Sequence, residues 1–184
     1  MTWIALDLET TGLDFIQDKI LSFAYYASPK NKGVLTNLYD ISYWFESHPE
    51  DKYIWHNGKF DVKFLKKHLG LDIPIDWDTL LAESLLPDRP ESLKLEEVAG
   101  KELGVPKWKD KTMYKNMGQA DPLAVASLNL QDVEYTYEVF KAQVLKYREQ
   151  PELLKFFLEN NLGIKSALFL ADVEYRGIGL DYEK

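Results

Sequence analysis

Apolar positions along the chain fall into short alternating runs first and into longer helical stripes later. Trp3 to Leu8 is a brief apolar run that reads as a first strand. Lys19 to Ala27, rich in Phe, Tyr and Ile, reads as a second. Pro29-Lys30-Asn31-Lys32-Gly33 is a turn signal, and Gly33 to Tyr39 reads as a third strand forming an antiparallel meander with the second. Ile41 to Glu46 reads as a short helix and Tyr53 to His56 as a short buried strand. Phe60, Phe64, Leu65 and Leu69 then recur at helical spacing. Ile73 to Asp78 reads as extended, and Thr79 to Leu86 as a helix stopped by Pro87. Ser92 is placed to cap a helix over Ser92 to Ala99. Lys101 to Gln119, polar and lysine-bearing with Gly104, Pro106 and Gly118, reads as a mobile loop. Asp121-Pro122 opens a long helix to about Tyr147, and Pro151 to Tyr175 continues as helix until Gly177. Strands grouped early with helices interleaved later fit an α/β class, a mixed sheet with helices packed on its faces.

The 184 residues suffice for one well-buried domain and a small appendage. No cysteine is present, which excludes disulfides, thiol catalysis and cysteine-based zinc sites. No apolar run reaches the length of a membrane span, so the expectation is a cytoplasmic protein without a membrane partner. The net charge of -8 argues against broad coating of duplex DNA. It leaves room for a narrow site that grips a few nucleotides through metal and stacking.

Candidate chemistry lies in the acids. Asp7 and Glu9 are two residues apart, so on a strand they point to the same side. Two like charges buried side by side are unfavourable without a cation, and carboxylates suit hard cations such as Mg²⁺ or Mn²⁺. Thr10-Thr11-Gly12 ends the strand in a turn, where a ligand can reach the pair. An edge strand with one solvated face accounts for the alternation equally well. Asp61 stands in the first turn of the helix that follows Gly58, where an Asp is commonly a cap or dipole partner. Gly58 lets the chain turn sharply there. Asp132 sits mid-helix on a stripe with Val125, Leu128, Tyr135 and Val139, where an acid needs a partner, so it is a candidate metal ligand.

Asp-Leu-Glu-Thr-Thr-Gly-Leu (7–13), His-Asn-Gly-Lys-Phe-Asp (56–61) and Leu-Asn-Leu-Gln-Asp-Val (128–133) resemble, in order and spacing, the three motifs of the DEDD 3′–5′ exonucleases. Segments 78–82 and 92–99 resemble those joining motifs two and three in the proofreading domain of family A DNA polymerases, phage-type above all. Segment 171–181 resembles the stretch leading into that family's polymerase domain. The resemblance implies a ribonuclease-H-like fold and two divalent cations, about 3.5–4 Å apart, that clamp the attacking and leaving oxygens. It implies catalytic and metal-binding roles for Asp7, Glu9, Asp61 and Asp132, with Asp7 shared, Glu9 and Asp132 completing the first site and Asp61 serving the second. It implies that Thr10 and Leu13 hold the terminal nucleotide and that Asn57 and Phe60 line the strand's path. For Leu13 and Phe60, simple core packing is the competing reading.

The implied organisation is an exonuclease domain over 1–150 and a helical segment over 151–184 leading toward a polymerase domain that is absent from the chain. The implied partners are the 3′ end of single-stranded DNA and a family A polymerase domain in cis or in trans. One departure stands out. Motif three normally carries a tyrosine four residues before its Asp or a histidine five before, and Leu128 and Ser127 occupy those places. Leucine cannot hydrogen-bond a water. The enzyme is then slower, or borrows a hydroxyl from Tyr135 or Tyr114, or binds metal silently. Retention of four acids favours an active 3′–5′ exonuclease that proofreads DNA. The competing functions are an RNA-trimming nuclease of the same superfamily and a non-catalytic module that binds a 3′ end or docks a polymerase.

Overall fold

The strand read at the N-terminus runs as β1 (Trp3–Thr10), its even positions Ile4, Leu6 and Leu8 buried on one face. β2 (Ile20–Ser28) pairs with it antiparallel, and β3 (Asn31–Leu35) pairs antiparallel with β2. β4 (Lys52–Trp55) adds to the other side of β1 in parallel, and the short β5 (Trp77–Asp78) adds in parallel to β4. The sheet order is therefore β3-β2-β1-β4-β5, mixed as expected. The coordinates are a computed structural model that describes residues 1–109, 117–160 and 162–177.

Helices cover both faces. α1 (Leu38–Ser47) sets Trp44 and Phe45 against Phe23, ring centroids 5.1 and 5.2 Å apart. α2 (Lys59–Leu69) follows β4. The opposite face carries α3 (Thr79–Leu85), α4 (Leu95–Leu103) and the long α5 (Pro122–Arg148). Trp3 meets Phe140 of α5 at 4.9 Å, and Tyr26 meets Tyr137 at 5.4 Å. Asp121 caps α5 through Leu123 N and Pro122 stands in its first turn, as the sequence suggests.

Four boundaries differ from expectation. β3 stops at Leu35 because the Asn37 side chain accepts the Tyr39 N–H (2.8 Å) and starts α1 there. β5 is confined to Trp77–Asp78, although just before it the Asp76 N–H already donates to Tyr53 O of β4 (3.0 Å). α4 begins at Leu95 with Lys94 as N-cap and no side-chain capping bond, so Ser92 is not its cap. α4 also absorbs Lys101 to Leu103 from the stretch read as a loop.

The chain after α5 continues as α6 (Pro151–Lys155), a short π-helix (Phe156–Asn160) and α7 (Leu162–Arg176). This segment is anchored. Phe157 is buried against Trp77 (4.7 Å) and Tyr147 (5.4 Å), and Glu174 binds Lys59 (2.6 Å) and Lys63 (2.5 Å) of α2. Phe169 and Leu170 on α7 remain exposed.

Candidate active site

β1 stays paired with β4 only as far as Ala5, opposite Ile54. Beyond it the two parallel strands part, opening a crevice at their C-terminal ends, the usual ligand position in such sheets. The Leu8 N–H donates there to Asp61 Oδ1 (3.1 Å). Asp7 and Glu9 lie across from Ala24 and Ser22, on the face turned to α5. That helix locks to the sheet here, since Asn129 Nδ2 donates to Ser22 Oγ (2.7 Å).

The loop that delivers Asp61 is unusually fixed. Asn57, with φ of 65°, takes the left-handed conformation, so the sharp turn expected at Gly58 falls one residue earlier. Gly58 is helical and is required for space, because a Cβ there would lie 2.6 Å from Trp55 Cβ. Asp78 then holds the loop. Its carboxylate accepts the N–H groups of Asn57 (3.2 Å) and Gly58 (2.9 Å) and also caps α3 through Leu80 (3.0 Å) and Leu81 (3.2 Å).

Three carboxylates converge. Ligand oxygens of Asp7, Glu9 and Asp132 lie within 4.8 Å of one another. Asp61 stands beside this trio, tied to Leu8, and is buried like Glu9 and Asp132. Burial drives all four carboxyl groups above the usual carboxylate range. For Asp7 the neighbouring Asp61, Asp132 and Glu9 add to the effect, and Glu9 is pushed up to about 7. Oxygen-only, buried and mutually repelling, the set fits a hard divalent cation by its donor chemistry. Asp7, His56, Asn57, Leu93 and Asp132 line one cavity of about 710 Å³. Within it His56 Nε2 donates to Leu93 O (2.9 Å), and burial holds the imidazole down to about 4.

Two residues at the site were not anticipated. Trp108 Nε1 donates to Asp132 Oδ1 (2.7 Å), and the Lys109 ammonium pairs with Asp132 Oδ2. Their backbone N–H groups are held by Glu96 Oε1, at 3.0 and 2.7 Å. The stretch up to Lys109 is thus a loop pinned to α4 that reaches the site, where its polar composition suggests a mobile one. The one available signal was a tryptophan set among lysines.

The remaining expected residues divide. Thr10 donates its hydroxyl to Gly12 O (2.7 Å) and so shapes the turn. Leu13, on that turn, is 86% exposed, which removes core packing as its explanation. Asn57 is exposed on the cavity wall. Phe60 is half-buried against Phe64 (4.8 Å). Leu128 is buried with Met117 and Val125, and Trp108 packs on that cluster. Tyr135 packs tilted against Trp108, ring centroids 4.3 Å apart, and on the Val98–Ala99–Val139 cluster between α4 and α5. Tyr114 lies outside the described residues.

A five-stranded mixed sheet between helices, its acids gathered where β1 and β4 diverge, has the ribonuclease-H-like fold. The model of the family A DNA polymerase 3′–5′ exonuclease matches residues 1–146, and the chain belongs to that family, of the DEDD type. The family uses divalent metals. DNA polymerase I of Borreliella burgdorferi is 29% identical over 206 residues, covering 98% of this chain. The chain spans only 21% of the length of that relative. Among solved structures, Brucella melitensis NrnC superposes with a TM-score of 0.65 at 18% identity, covering 95% of this chain and 82% of that one. The same protein with bound Mg²⁺ is also matched. Escherichia coli RNase D, an exoribonuclease involved in structured RNA processing, gives 0.62 at 15% identity, covering 96% and 46%. At these identities the likeness is one of fold.

Proposed function

We propose that this domain hydrolyses DNA from its 3′ end, releasing nucleoside monophosphates from single-stranded or mispaired termini, and so proofreads for a family A polymerase in cis or in trans. The observation that carries the reading is the convergence of Asp7, Glu9 and Asp132 within 4.8 Å, with Asp61 alongside. Two divalent cations, Mg²⁺ or Mn²⁺, would be held with Asp7 shared, Glu9 and Asp132 on one and Asp61 on the other. When bound, such cations supply a water that ionises near neutral pH and neutralise charge growing on the departing 3′ oxygen.

The chain's own groups do the rest. Asp78 keeps Asn57 and Gly58 still, so Asp61 and the cavity wall hold their spacing. Leu13 offers an exposed apolar side chain on the turn that follows β1, suited to packing on the face of a terminal base. Asn57 and Phe60 flank the path behind it. The identity to a DNA polymerase favours deoxyribonucleotide substrates, and in this reading 151–184 leads toward a polymerase domain. RNA trimming is the second reading, favoured by the fold shared with RNase D. Matched deoxy- and ribo-oligonucleotides under identical salt test the choice: faster 3′ shortening of DNA is expected, and faster shortening of RNA selects the alternative. In both arms Asp7→Ala is expected to abolish cleavage.

A further inference from the structure

The place left by the motif-three hydroxyl or imidazole is covered in this chain. Leu128, one turn before Asp132 on α5, is apolar, and the indole of Trp108 packs on its cluster. The backbone reversal that brings Trp108 there starts at Gly104, whose φ of 69° ends α4. Glu96 then fixes the N–H groups of residues 108 and 109, while Lys107 pairs with Glu97. Lys109 follows directly and turns inward. Its side chain is 22% exposed, its ammonium meets Asp132, and it lines the same cavity as Asp7 and His56. Its charge also acts favourably on the Asp7 and Glu9 carboxylates. Lys94, the other lysine lining that cavity, is exposed on its rim.

We propose that Lys109 is a catalytic cation of this site, its ammonium contacting the scissile phosphate from the side that Leu128 leaves without a polar group. The inference rests on the exonuclease reading. A phosphodiester aligned on Asp7 and Asp132 lies within reach of an ammonium already seated on Asp132. Lysine and arginine clamps on transferring phosphoryl groups are a general means of stabilising the charge that builds there. In the reaction a water oxygen bonds to phosphorus as the P–O3′ bond breaks. The electron pair leaves on the 3′ oxygen of the penultimate nucleotide, which takes a proton from solvent, and the attacking water loses one to solvent. Lys109 keeps its proton throughout and contributes charge alone. Trp108 acts through Asp132 and is a positioning residue.

The test compares wild type, Lys109→Met and Lys109→Arg. The methionine keeps the packing of the stem, and the arginine keeps the charge. Three quantities are measured: turnover on a 3′-labelled single-stranded oligonucleotide, Mn²⁺ affinity of the metal-free protein by calorimetry, and dTMP affinity in Mn²⁺. The assignment predicts that Lys109→Met lowers kcat by about 10²-fold. It predicts dTMP binding weaker by about tenfold, Mn²⁺ binding as tight as wild type or tighter, and partial recovery of turnover by Lys109→Arg. Unchanged or increased turnover in Lys109→Met overturns it, since the lysine is then only a counter-ion held until metal arrives. Lost turnover together with weakened Mn²⁺ binding also overturns it, because the defect then lies in Asp132. A wild-type protein that binds Mn²⁺ yet cleaves nothing refutes the exonuclease reading itself.

Discussion

Glu9 is the acid whose protonation state is most exposed to experiment. Burial and the nearby Asp132 hold its pKa at about 7, against an ordinary value of 4.5. A carboxyl raised on folding binds more protons in the native state than in the unfolded one. Its contribution to stability is therefore greatest at low pH and declines as pH rises from about 4.5 to about 7. Glu9→Gln removes that titration. In EDTA the variant should gain melting temperature relative to wild type across this window and hold a constant lead above it. Saturating Mg²⁺ should shrink the lead, because the cation stabilises the charged carboxylate that the variant lacks. A pH-independent difference in EDTA would contradict the buried, metal-seeking state assigned to Glu9.

Asp78 carries the corresponding argument for the elements. One carboxylate joins β5, the N-terminus of α3 and the loop into α2. Asp78→Ala leaves the α3 cap empty and two loop N–H groups without their acceptor, so a loss of about 2–4 kcal/mol is expected by denaturant titration. Turnover should fall as well, since Asp61 and Asn57 ride on that loop. The acids themselves were legible along the chain, because strand parity pairs Asp7 with Glu9 and helical spacing puts Asp132 on an apolar stripe. The long helix was legible from Asp121-Pro122. Ser92 misled because a capping sequence does not say where the helix axis begins; Lys94 and Leu95 begin it. Trp108 and Lys109 were hidden for a different reason. Their position depends on Glu96 of α4 and Asp132 of α5, contacts that no local period encodes. Tyr135 was read on the Asp132 stripe, yet its ring turns toward Trp108 and α4.

At the scale of the molecule, the segment after α5 is part of the same core as the sheet. Phe157 fills the space beside Trp77 and Tyr147, and Glu174 anchors α7 to α2. Ending the chain at residue 150 should therefore lower the melting temperature. Burial of one Phe is worth roughly 1.5–3 kcal/mol, and about 2–4 °C accompany each kcal/mol at this size. A truncated chain as stable as the whole would contradict this packing. No helix among the described residues is long and apolar enough to cross a membrane. With an overall charge of -8, the proposed nucleic-acid binding would fall to local features: the carboxylate site, Lys109 and the exposed Leu13.

The central claim is metal-dependent removal of nucleotides from a 3′ end. Its most direct measurement is a time course on a 5′-labelled DNA primer with a 3′ mismatch, run with Mg²⁺, with Mn²⁺ and with EDTA. The account predicts a ladder shortening from the 3′ end in both metal arms, mononucleotide product, and no cleavage in EDTA. A primer left intact by high concentrations of protein in Mn²⁺ would contradict it.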